Sequence, residues 1–589
     1  MNLSSHPSEL ISQRYLAAEL LASVVWRLFP NVILARGGIN SIGFYYDFIF
    51  EQSLTESMLE LIEVHLYRFI KEAHPVRFIS MMRENAQNLF EHHQHFLLAQ
   101  RAGEEKSNIL ELVQIDDFYG LCPTLSLAST QEVGYVKLLD TQKLTQNFQN
   151  EEVRITRLVG TSQNSAKDLK SFLKNYEQFL KKRDHRSLGP KLNLFSFCER
   201  MGSLGVLWHS KGMELRRLLQ DLLDKQIMEN EKQISTPIAA REDFLKRESE
   251  ALDPFDFGGQ KYRLRSSPLR QHLEFLQNFP LDVEELPWQI TEHAAVYRQY
   301  PESQWWGLFC TCAYLTDHRT ICCTKNQVMT ELISSLHFIE QIITIFGFEA
   351  QWYLIASRWK SPKARQKQEA IEWLKQAVQV SLPSYSFFPE LQEEEEEGDG
   401  SRLELRIRDV VGREWPASTL GIVQHIQEVG SLSVQQGEGQ PPLIVLTRQI
   451  WGSLDRFVAL LIERYEGTFP LWLAPEQVRI IAIGEANRAY ARQVSQYLRQ
   501  NGLRVGLDVR QAKLSIRVHQ AEKENVPYLV LLGEQERVKQ KISVRVAGRF
   551  NQNQSVDLET FLNKLNQESL CPMPMKERTT MLTGESESA

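Results

Sequence analysis

Four of the seven cysteines lie close enough together in the sequence to raise the question of a metal site: Cys310, Cys312, Cys322 and Cys323. Structural zinc sites use CxxC pairs, whereas these cysteines form one CxC pair and one CC pair. We therefore interpret them as buried thiols. The densest histidine cluster, HHQH at 92–95, follows a polar helical stretch. Clustered imidazoles can bind metal, but this position favours an exposed helix end.

Arg456 is a candidate of another kind, because it lies near the start of an amphipathic helix. Apolar residues recur at helical spacing from Leu454 to Tyr465, and Gly467 then ends the helix. The short apolar run at 443–446 before it is typical of a buried strand. Taken alone, Arg456 would be a solvated surface charge.

The elements around these residues are those of a large globular protein. A chain of 589 residues is expected to form two to four domains. The net charge of -7 gives no global case for nucleic-acid binding, although local basic patches remain compatible with it. The sequence shows neither an apolar run of about 18 residues nor the pattern of a signal peptide, so we expect a cytoplasmic protein without a membrane segment.

Regular patterns predict structure at both ends of the chain. Helical spacing occurs at 9–29 and 55–73, and GFYYDFIF at 43–50 alternates like a half-buried strand. Residues 478–567 alternate between strand and helix patterns, which predicts a parallel sheet with helices outside it.

Several of these segments resemble one enzyme family. GSLDRF followed by LLIERYEGTFPLWLAP resembles the third signature motif of class II aminoacyl-tRNA synthetases, and FPLWLAPEQV is similar to threonyl-tRNA synthetases in particular. RDHRSLGPKLNLFSF at 183–197 resembles the linker to the catalytic domain of that family, and residues 206–223 resemble its first catalytic helix.

The resemblance implies an α+β multidomain protein. Its parts are an editing-domain-like α+β domain, a helical linker, a class II catalytic-like antiparallel sheet with helices, and an α/β anticodon-binding-like domain, followed by a disordered tail. The boundaries are 1–150, 151–196, 197–470, 471–570 and 571–589.

The editing residues of the family are replaced in this chain. The HxxxH positions hold Tyr15 and Glu19, and the later Cys-x-x-x-His keeps Cys122 but has Ser126 in place of the histidine. The family uses these side chains to position a hydrolytic water, for which imidazoles are needed. We therefore predict that editing is absent.

The three zinc-ligand positions of the family are also replaced, by Ser267, Thr320 and Thr447. In the family this zinc reads the amino group and hydroxyl of threonine. Neutral hydroxyls are poor zinc ligands, so no zinc site is expected. We expect His318, two residues before Thr320, to point elsewhere along the strand.

The ATP-binding motifs are kept only in part. Arg298 and Arg456 match the arginines of motifs 2 and 3, and Arg402 takes the place of a lysine. The glutamate of motif 2 is Tyr300, and a cysteine pair, Cys310 and Cys312, replaces its later arginines, as in a repacked apolar strand. Five glutamates, Glu393 to Glu397, replace an apolar strand, and we interpret them as a solvated loop.

The anticodon-reading positions of the family are half retained. Glu536 and Arg545 match, whereas Gln511 replaces an asparagine and His519 an arginine. The motif 1 proline is Pro237, which in the family lies at a dimer interface.

We therefore predict a degenerate threonyl-tRNA synthetase-like protein that has lost zinc-dependent threonine activation and editing. It would bind tRNA, and it would form a homodimer or pair with a true synthetase, without binding DNA. Two alternatives stay open: an active, zinc-free threonine–tRNA ligase in which Arg298, Arg402 and Arg456 carry the phosphate chemistry, and an interaction-only regulatory subunit. No cofactor is predicted, and ATP with magnesium follows only from the ligase alternative.

Overall fold

The computed structural model of this chain forms two compact units. Unit 1 comprises residues 1–178 and 301–304, and unit 2 comprises 179–300 and 305–589. Within them the structure describes residues 7–40, 42–105, 107–123, 125–148, 151–201, 205–226, 231–245, 252–278, 283–298, 306–357, 364–382, 390–393, 400–423, 443–548 and 552–572. Tyr300, Glu394 to Glu397 and nearly all of the predicted tail lie outside the described residues.

Unit 1 packs helices against two antiparallel sheets with strand orders β1-β2-β7-β6 and β3-β4-β5. Its elements are α1 (Pro7–Leu28), β1 (Ile33–Asn40), β2 (Gly43–Ile49), α2 (Glu56–Lys71), β3 (Val76–Met82), α3 (Arg83–His92), α4 (Phe96–Glu104), β4 (Ile109–Ile115), β5 (Phe118–Leu121), β6 (Tyr135–Phe148), β7 (Glu151–Gln163) and α5 (Ala166–Lys182), which continues into unit 2. The predicted helices at 9–29 and 55–73 are present as α1 and α2.

Two expectations about strands in unit 1 were wrong. Residues 43–48 of β2 are all buried, so the strand is covered on both faces rather than half-buried. The predicted helical linker at 151–196 begins with a strand, because β7 pairs with β2 and with β6. Residues 153–159, VRITRLV, contain the β-branched residues and alternation that favour a strand.

The first part of unit 2 is built on an eight-stranded sheet of order β10-β14-β15-β20-β19-β18-β16-β17. The strands of this first part of unit 2, five of which lie outside that sheet, are β8 (Phe195–Phe197), β9 (Val206–Trp208), β10 (Glu231–Gln233), β11 (Ala239–Arg241), β12 (Phe255–Phe257), β13 (Gln260–Leu264), β14 (Trp288–Tyr297), β15 (Ala313–Thr324), β16 (Glu349–Ser357), β17 (Glu390–Glu393), β18 (Arg402–Arg408), β19 (Glu414–Ile422) and β20 (Leu443–Gln449). Its helices are α6 (His185–Lys191), α7 (Ser210–Asp224), α8 (Glu242–Leu245), α9 (Leu269–Asn278), α10 (Val328–Ile345), α11 (Ala364–Ser381) and α12 (Leu454–Tyr465).

The eight-stranded sheet is antiparallel except at its two edges, where β10 and β17 pair in parallel with their neighbours. The apolar sides of α10 and α12 and one face of the sheet belong to one large core. On the opposite face of the sheet, α9 packs near the start of β14 and the end of β15. The rest of this face of β14 and β15 carries many polar side chains. We call this second surface the α9 face.

Two details of this region correct the sequence predictions. Cys310 lies in a short turn of 3₁₀ helix and Cys312 also precedes β15, so the pair is not part of a strand. Gly307, at φ 56°, starts that turn in a left-handed conformation that favours glycine. Glu393 ends the short strand β17 opposite Ser357 instead of beginning a loop.

The cysteines and one apolar helix are otherwise accounted for by packing. Cys310, Cys322 and Cys323 are buried, as predicted, and Cys312 is half-buried. Among the described residues, one helix, α10, is long and apolar enough by length and composition to cross a membrane. Its buried side chains, such as Leu336 and Ile339, belong to the core of unit 2.

The C-terminal part of unit 2 has a second sheet of order β22-β21-β23-β24-β25. Its elements are β21 (Val478–Ala482), α13 (Arg488–Gln500), β22 (Val505–Asp508), α14 (Leu514–Lys523), β23 (Tyr528–Leu532), α15 (Glu534–Lys539), β24 (Ile542–Val546), β25 (Gln554–Val556) and α16 (Leu558–Glu568). The predicted parallel pairing holds for β21, β22 and β23, whereas β24 and β25 are antiparallel additions.

Candidate functional site

The α9 face brings two of the three predicted zinc-ligand positions together. Thr320 on β15 and Thr447 on β20 are directly paired across the two strands. Ser267 precedes α9, where its hydroxyl accepts a hydrogen bond of 3.3 Å from the backbone N–H of Leu269. The three positions therefore offer only hydroxyl oxygens, which do not suit a zinc ion.

A buried histidine holds the hydroxyl of Thr320. His272 on α9 is fully buried, with Nδ1 2.9 Å from Thr320 Oγ1 and Nε2 3.1 Å from Glu292 Oε2. Because a carboxylate only accepts hydrogen bonds, Nε2 carries a hydrogen and donates a hydrogen bond to Glu292. Neither His272 nor Glu292 was recognised from the sequence. The strand pattern around His318 was the available signal, because Glu292 pairs with His318 on the neighbouring strand.

Glu292 is the centre of a buried polar network. Its side chain is 3% exposed and accepts hydrogen bonds from Arg265 Nη2 at 2.9 Å and from the hydroxyl of Thr236 at 2.7 Å. Burial would raise the pKa of Glu292, but the hydrogen bonds from His272, Arg265 and Thr236 lower it to about 2. Glu292 is therefore ionised at neutral pH.

The expectation for His318 was wrong. Residues two apart on a strand point to the same face, so His318 shares the α9 face with Thr320. Its ring lies edge-on to His272, with 5.2 Å between the ring centroids, and its Nδ1 is 3.1 Å from Gln449 Nε2. Burial, followed by the charge of His272, lowers the pKa of His318 well below its usual value, so this imidazole is neutral.

Among the described residues, one group of three has histidine and carboxylate ligand atoms that converge as in a metal site: Asp184, His185 and Glu463. These atoms already have protein partners. Glu463 Oε1 lies 2.6 Å from His185 Nδ1, and the backbone N–H of Leu308 donates to His185 Nε2 at 3.1 Å. Arg413 donates to Glu463 Oε2 at 3.3 Å. The group is a satisfied internal network.

Arg456 is tied to backbone carbonyls. It lies in the first turn of α12, and its Nε donates to the carbonyl oxygen of Phe309 at 3.0 Å while Nη1 donates to that of Pro416 at 3.2 Å. Trp415 stacks on Phe309 with ring centroids 4.2 Å apart, and the guanidinium carbon of Arg456 is 5.7 Å from the centroid of the Trp415 ring. The expected solvated charge is thus half-buried and bonded to the protein.

The other two arginines lie in different parts of the sheet. Arg298 follows β14, and its backbone N–H bonds to the carbonyl oxygen of Cys312 at 2.9 Å. Arg402 on β18 lies in the same cross-strand row as Thr447, with Gly421 between them. Its Nη2 is 3.7 Å from Glu404 Oε2.

Two of the editing-like positions of unit 1, Glu19 and Cys122, are buried. Glu19 on α1 is 4% exposed and packs against Gly37 and Gly120, where an added Cβ would come within 2.9 Å and 2.0 Å of its carboxyl oxygens. Burial raises the pKa of Glu19 to about 8, although Arg101 opposes this shift. Burial and the charge of Glu19 also raise the pKa of the Cys122 thiol. At neutral pH both groups are therefore protonated.

The remaining positions of unit 1 differ in exposure. Tyr15 is half-buried and Ser126 is exposed. Within the HHQH cluster, His92 ends α3 and is exposed, as predicted. His95 contradicts the prediction because it is buried, edge-on to Trp26 with ring centroids 5.5 Å apart.

The anticodon-reading positions lie around the second sheet of unit 2. Gln511 is exposed after the carboxyl end of β22, and Glu536 caps α15 by accepting a hydrogen bond of 2.9 Å from the N–H of Gly533. Arg545 lies on β24 opposite Leu529, near the amino end of β23, and its Nε donates to the side chain of Asn553. His519 is exposed on α14.

Comparisons with known proteins agree with this architecture. A family model described as an anticodon binding domain matches residues 477–568. The chain is 29% identical over 542 residues to a threonine–tRNA ligase of Oleidesulfovibrio alaskensis, covering 90% of this chain and 83% of that protein. It is 28% identical over 566 residues to a threonine–tRNA ligase of Clostridium botulinum, covering 94% and 88%.

Two solved structures share the fold. One is described as the RNA binding domain of threonyl-tRNA synthetase from Cryptosporidium parvum, with a TM-score of 0.60 at 20% identity over 67% of this chain and all of that chain. The other, a threonyl-tRNA synthetase structure from Aeropyrum pernix, has a TM-score of 0.53 at 18% identity over 66% of this chain and 98% of that chain.

Proposed function

Because this chain is a threonyl-tRNA synthetase-like protein with an anticodon-binding domain, we propose that it binds tRNA without zinc-dependent threonine activation or editing. The observation that carries this proposal is the pairing of Thr320 with Thr447 where the resemblance places zinc-binding histidines. The Thr320 hydroxyl is engaged by His272, and the three ligand positions themselves supply neither the imidazole nor the thiolate that zinc prefers.

The arginines and the editing-like positions support the same proposal. Phosphoryl chemistry needs guanidinium groups aimed at the phosphates, whereas two nitrogens of Arg456 already donate to backbone carbonyls. In unit 1, a protonated Glu19 and a protonated Cys122 thiol are poor at activating a water molecule.

tRNA binding rests on the C-terminal sheet of unit 2. Gln511 is exposed at one edge of this sheet, and Arg545 carries a positive charge on β24. If Arg545 contacts a phosphate, Arg545→Ala will weaken tRNA binding in a gel shift. It will also reduce the slope of log affinity against log salt concentration by about one. Arg68→Ala is the matched control, since Arg68 pairs with Glu72 at an exposed site outside this sheet. Unchanged affinity in Arg545→Ala would argue for an interaction-only protein.

We also propose a homodimer, or a heteromer with a true synthetase, in the cytoplasm. The sheet of β11, β12 and β13 adjoins the motif 1 proline, Pro237, and exposes large apolar side chains. Ile238 is 45% exposed and Phe257 is 69% exposed. Such apolar surface suits a subunit interface. Light scattering of the protein alone, and of a mixture with a threonyl-tRNA synthetase, tests this assembly.

The deciding experiment is threonine-dependent ATP–pyrophosphate exchange on protein whose metal content has been measured. We expect no exchange and no zinc, together with a measurable shift of tRNA on a gel from the same preparation. Exchange that depends on threonine would overturn the proposal and identify an active ligase.

A further inference from the structure

Four charged side chains form a closed ring where the C-terminal domain joins the rest of unit 2. Lys211 Nζ lies 2.6 Å from Glu476 Oε2 and 2.6 Å from Glu524 Oε2. Arg479 completes the ring by donating to Glu476 Oε1 at 2.8 Å and to Glu524 Oε2 at 2.7 Å. Cations and carboxylates thus alternate, and each charge contacts two opposite charges. We call these four residues the ionic joint.

The ionic joint is shielded from solvent. The exposed fractions of its side chains are 15% for Lys211, 9% for Glu476, 11% for Arg479 and 7% for Glu524. Burial would raise the pKa of Glu524, but hydrogen bonds from Arg479 and Lys211 lower it to about 2. Shielded pairs of this kind are screened by salt much less than surface pairs.

Lys211 is the member that comes from the catalytic-like part of the chain. It lies in the first turn of α7, whereas Arg479 is on β21 and Glu524 follows α14 within the anticodon-binding domain. Residues 467–476 form a connecting segment that ends at Glu476. Its carbonyls at Leu471, Trp472 and Ala474 accept hydrogen bonds from Arg504 of the anticodon-binding domain. The connecting segment is therefore fixed to the anticodon-binding domain, and Lys211 ties both to α7.

Apolar contacts beside the ring lie at the same junction. Gly467, at φ 72°, has no room for a Cβ, which would come within 2.5 Å of a methyl carbon of Leu192 and 3.3 Å of the Asn525 amide. Leu192 is part of the core that covers the eight-stranded sheet, and Asn525 follows α14. The ionic joint thus closes over a junction that is packed as well as charged.

We propose that Lys211 is a positioning residue that sets the orientation of the anticodon-binding domain against the catalytic-like part, so that one tRNA can contact both. This inference rests on the proposed tRNA binding. When two contacts to one ligand are linked, the second forms at an effective concentration that depends on the geometry between them. A loosened joint therefore lowers the affinity for a ligand that contacts both parts, and leaves the affinity for a ligand that contacts only one part unchanged.

The test compares two RNA probes on the full-length protein: a transcript of tRNA(Thr) and its isolated anticodon stem-loop. Lys211→Met keeps an apolar stem but removes the charge. We expect it to weaken binding of the whole tRNA about tenfold while the stem-loop affinity changes less than about twofold. Lys211→Arg should restore binding of the whole tRNA, because it keeps the charge.

A matched control is Lys325→Met, because Lys325 pairs with Glu369 at an exposed position of the catalytic-like part. It should alter neither affinity. Equal weakening of both probes by Lys211→Met, or no change in either, would overturn the inference.

Hydrogen exchange of the segment at 467–477 gives a readout that needs no RNA. We expect faster exchange there in Lys211→Met than in Lys325→Met. Equal exchange would overturn the role of Lys211 in the joint. If the protein without substitutions bound neither probe, the proposed tRNA binding would be wrong, and so would the predicted effect of Lys211 on tRNA affinity. The exchange comparison would still test whether Lys211 holds the ionic joint together.

Discussion

Glu292 on the α9 face and Glu19 in unit 1 are two buried glutamates with opposite surroundings. Both side chains are almost fully buried, at 3% and 4% exposure. The pKa of Glu292 falls to about 2, whereas that of Glu19 rises to about 8. The difference lies in the donors: Glu292 is surrounded by Arg265, His272 and Thr236, whereas Glu19 Oε2 has no hydrogen-bond partner among the described residues. Burial alone thus does not set the charge of a carboxyl group.

The comparison also separates two ways in which buried polar side chains are held. On the α9 face the charges and hydroxyls are bound to one another, so the polar network is kept as structure. In unit 1 the carboxyl and the thiol are protonated and packed, so their charges are absent. We expect a change of pH, or replacement of the buried glutamate, to change the stability of the two regions in opposite directions.

Removing the paired glutamate should have the largest effect. Glu292→Ala leaves the buried Arg265 without its counter-ion, and we expect unit 2 to lose about 3–5 kcal/mol of unfolding free energy. Urea denaturation followed by hydrogen exchange in peptides of β14 measures the loss. Asp243→Ala, at an exposed ion pair, is the control and should change stability by less than about 1 kcal/mol. A loss as small as that of the control would mean that the network contributes little.

The pH dependence of the two glutamates should be opposite in sign. Glu19 has a folded pKa above its unfolded value of 4.5, so its contribution is complete below pH 4.5 and is lost as the pH rises through 8. Glu292 has a folded pKa below 4.5, so its contribution is present above that pH and is lost as the pH falls through 2. Glu19→Gln should therefore leave unit 1 more stable than the unchanged protein at pH 9, by on the order of 2 kcal/mol, and close to it at pH 5. Hydrogen exchange of α1 peptides at both pH values checks this, and parallel curves for the two proteins would show that Glu19 is not protonated in the folded state.

A methyl group beside Glu19 should have the smallest effect. A Cβ at Gly120 would lie 2.0 Å from Glu19 Oε2, so Gly120→Ala must displace the carboxyl, at a cost of about 1 kcal/mol. The double variant Glu19→Ala with Gly120→Ala should remove that cost in a double-mutant cycle of thermal unfolding. Additive effects would mean that the carboxyl has room to move elsewhere.

Local patterns predicted much of the fold. The helices α1, α2 and α12 follow from apolar residues at helical spacing, and Ser453 caps α12 with its hydroxyl where the sequence placed the start of that helix. The α/β alternation of the C-terminal part and the antiparallel sheet of class II synthetases are present too. These features depend on neighbours in sequence or on motifs of many residues, so they are readable without a structure.

The site was less predictable, for identifiable reasons. His318 was expected to point elsewhere along β15, although the alternation of a strand places it on the same face as Thr320. His272 and Glu292 were not recognised, because they come from α9 and β14 and meet only when both pack beside β15. Glu393 looked like part of a charged loop, but pairing with Ser357 places it in a strand.

The sequence by itself determined which side chains are available: hydroxyls at Ser267, Thr320 and Thr447, and the one retained cysteine of the editing-like positions, Cys122. It also determined approximately where α1, α2 and α12 begin and end, because capping and periodicity act over a few residues. The tertiary structure alone decided the charge of Glu19 and Glu292 and the partners of Arg456 and Lys211. Desolvation and ion pairing depend on atoms that are distant in sequence, so these properties exist only once the chain has folded.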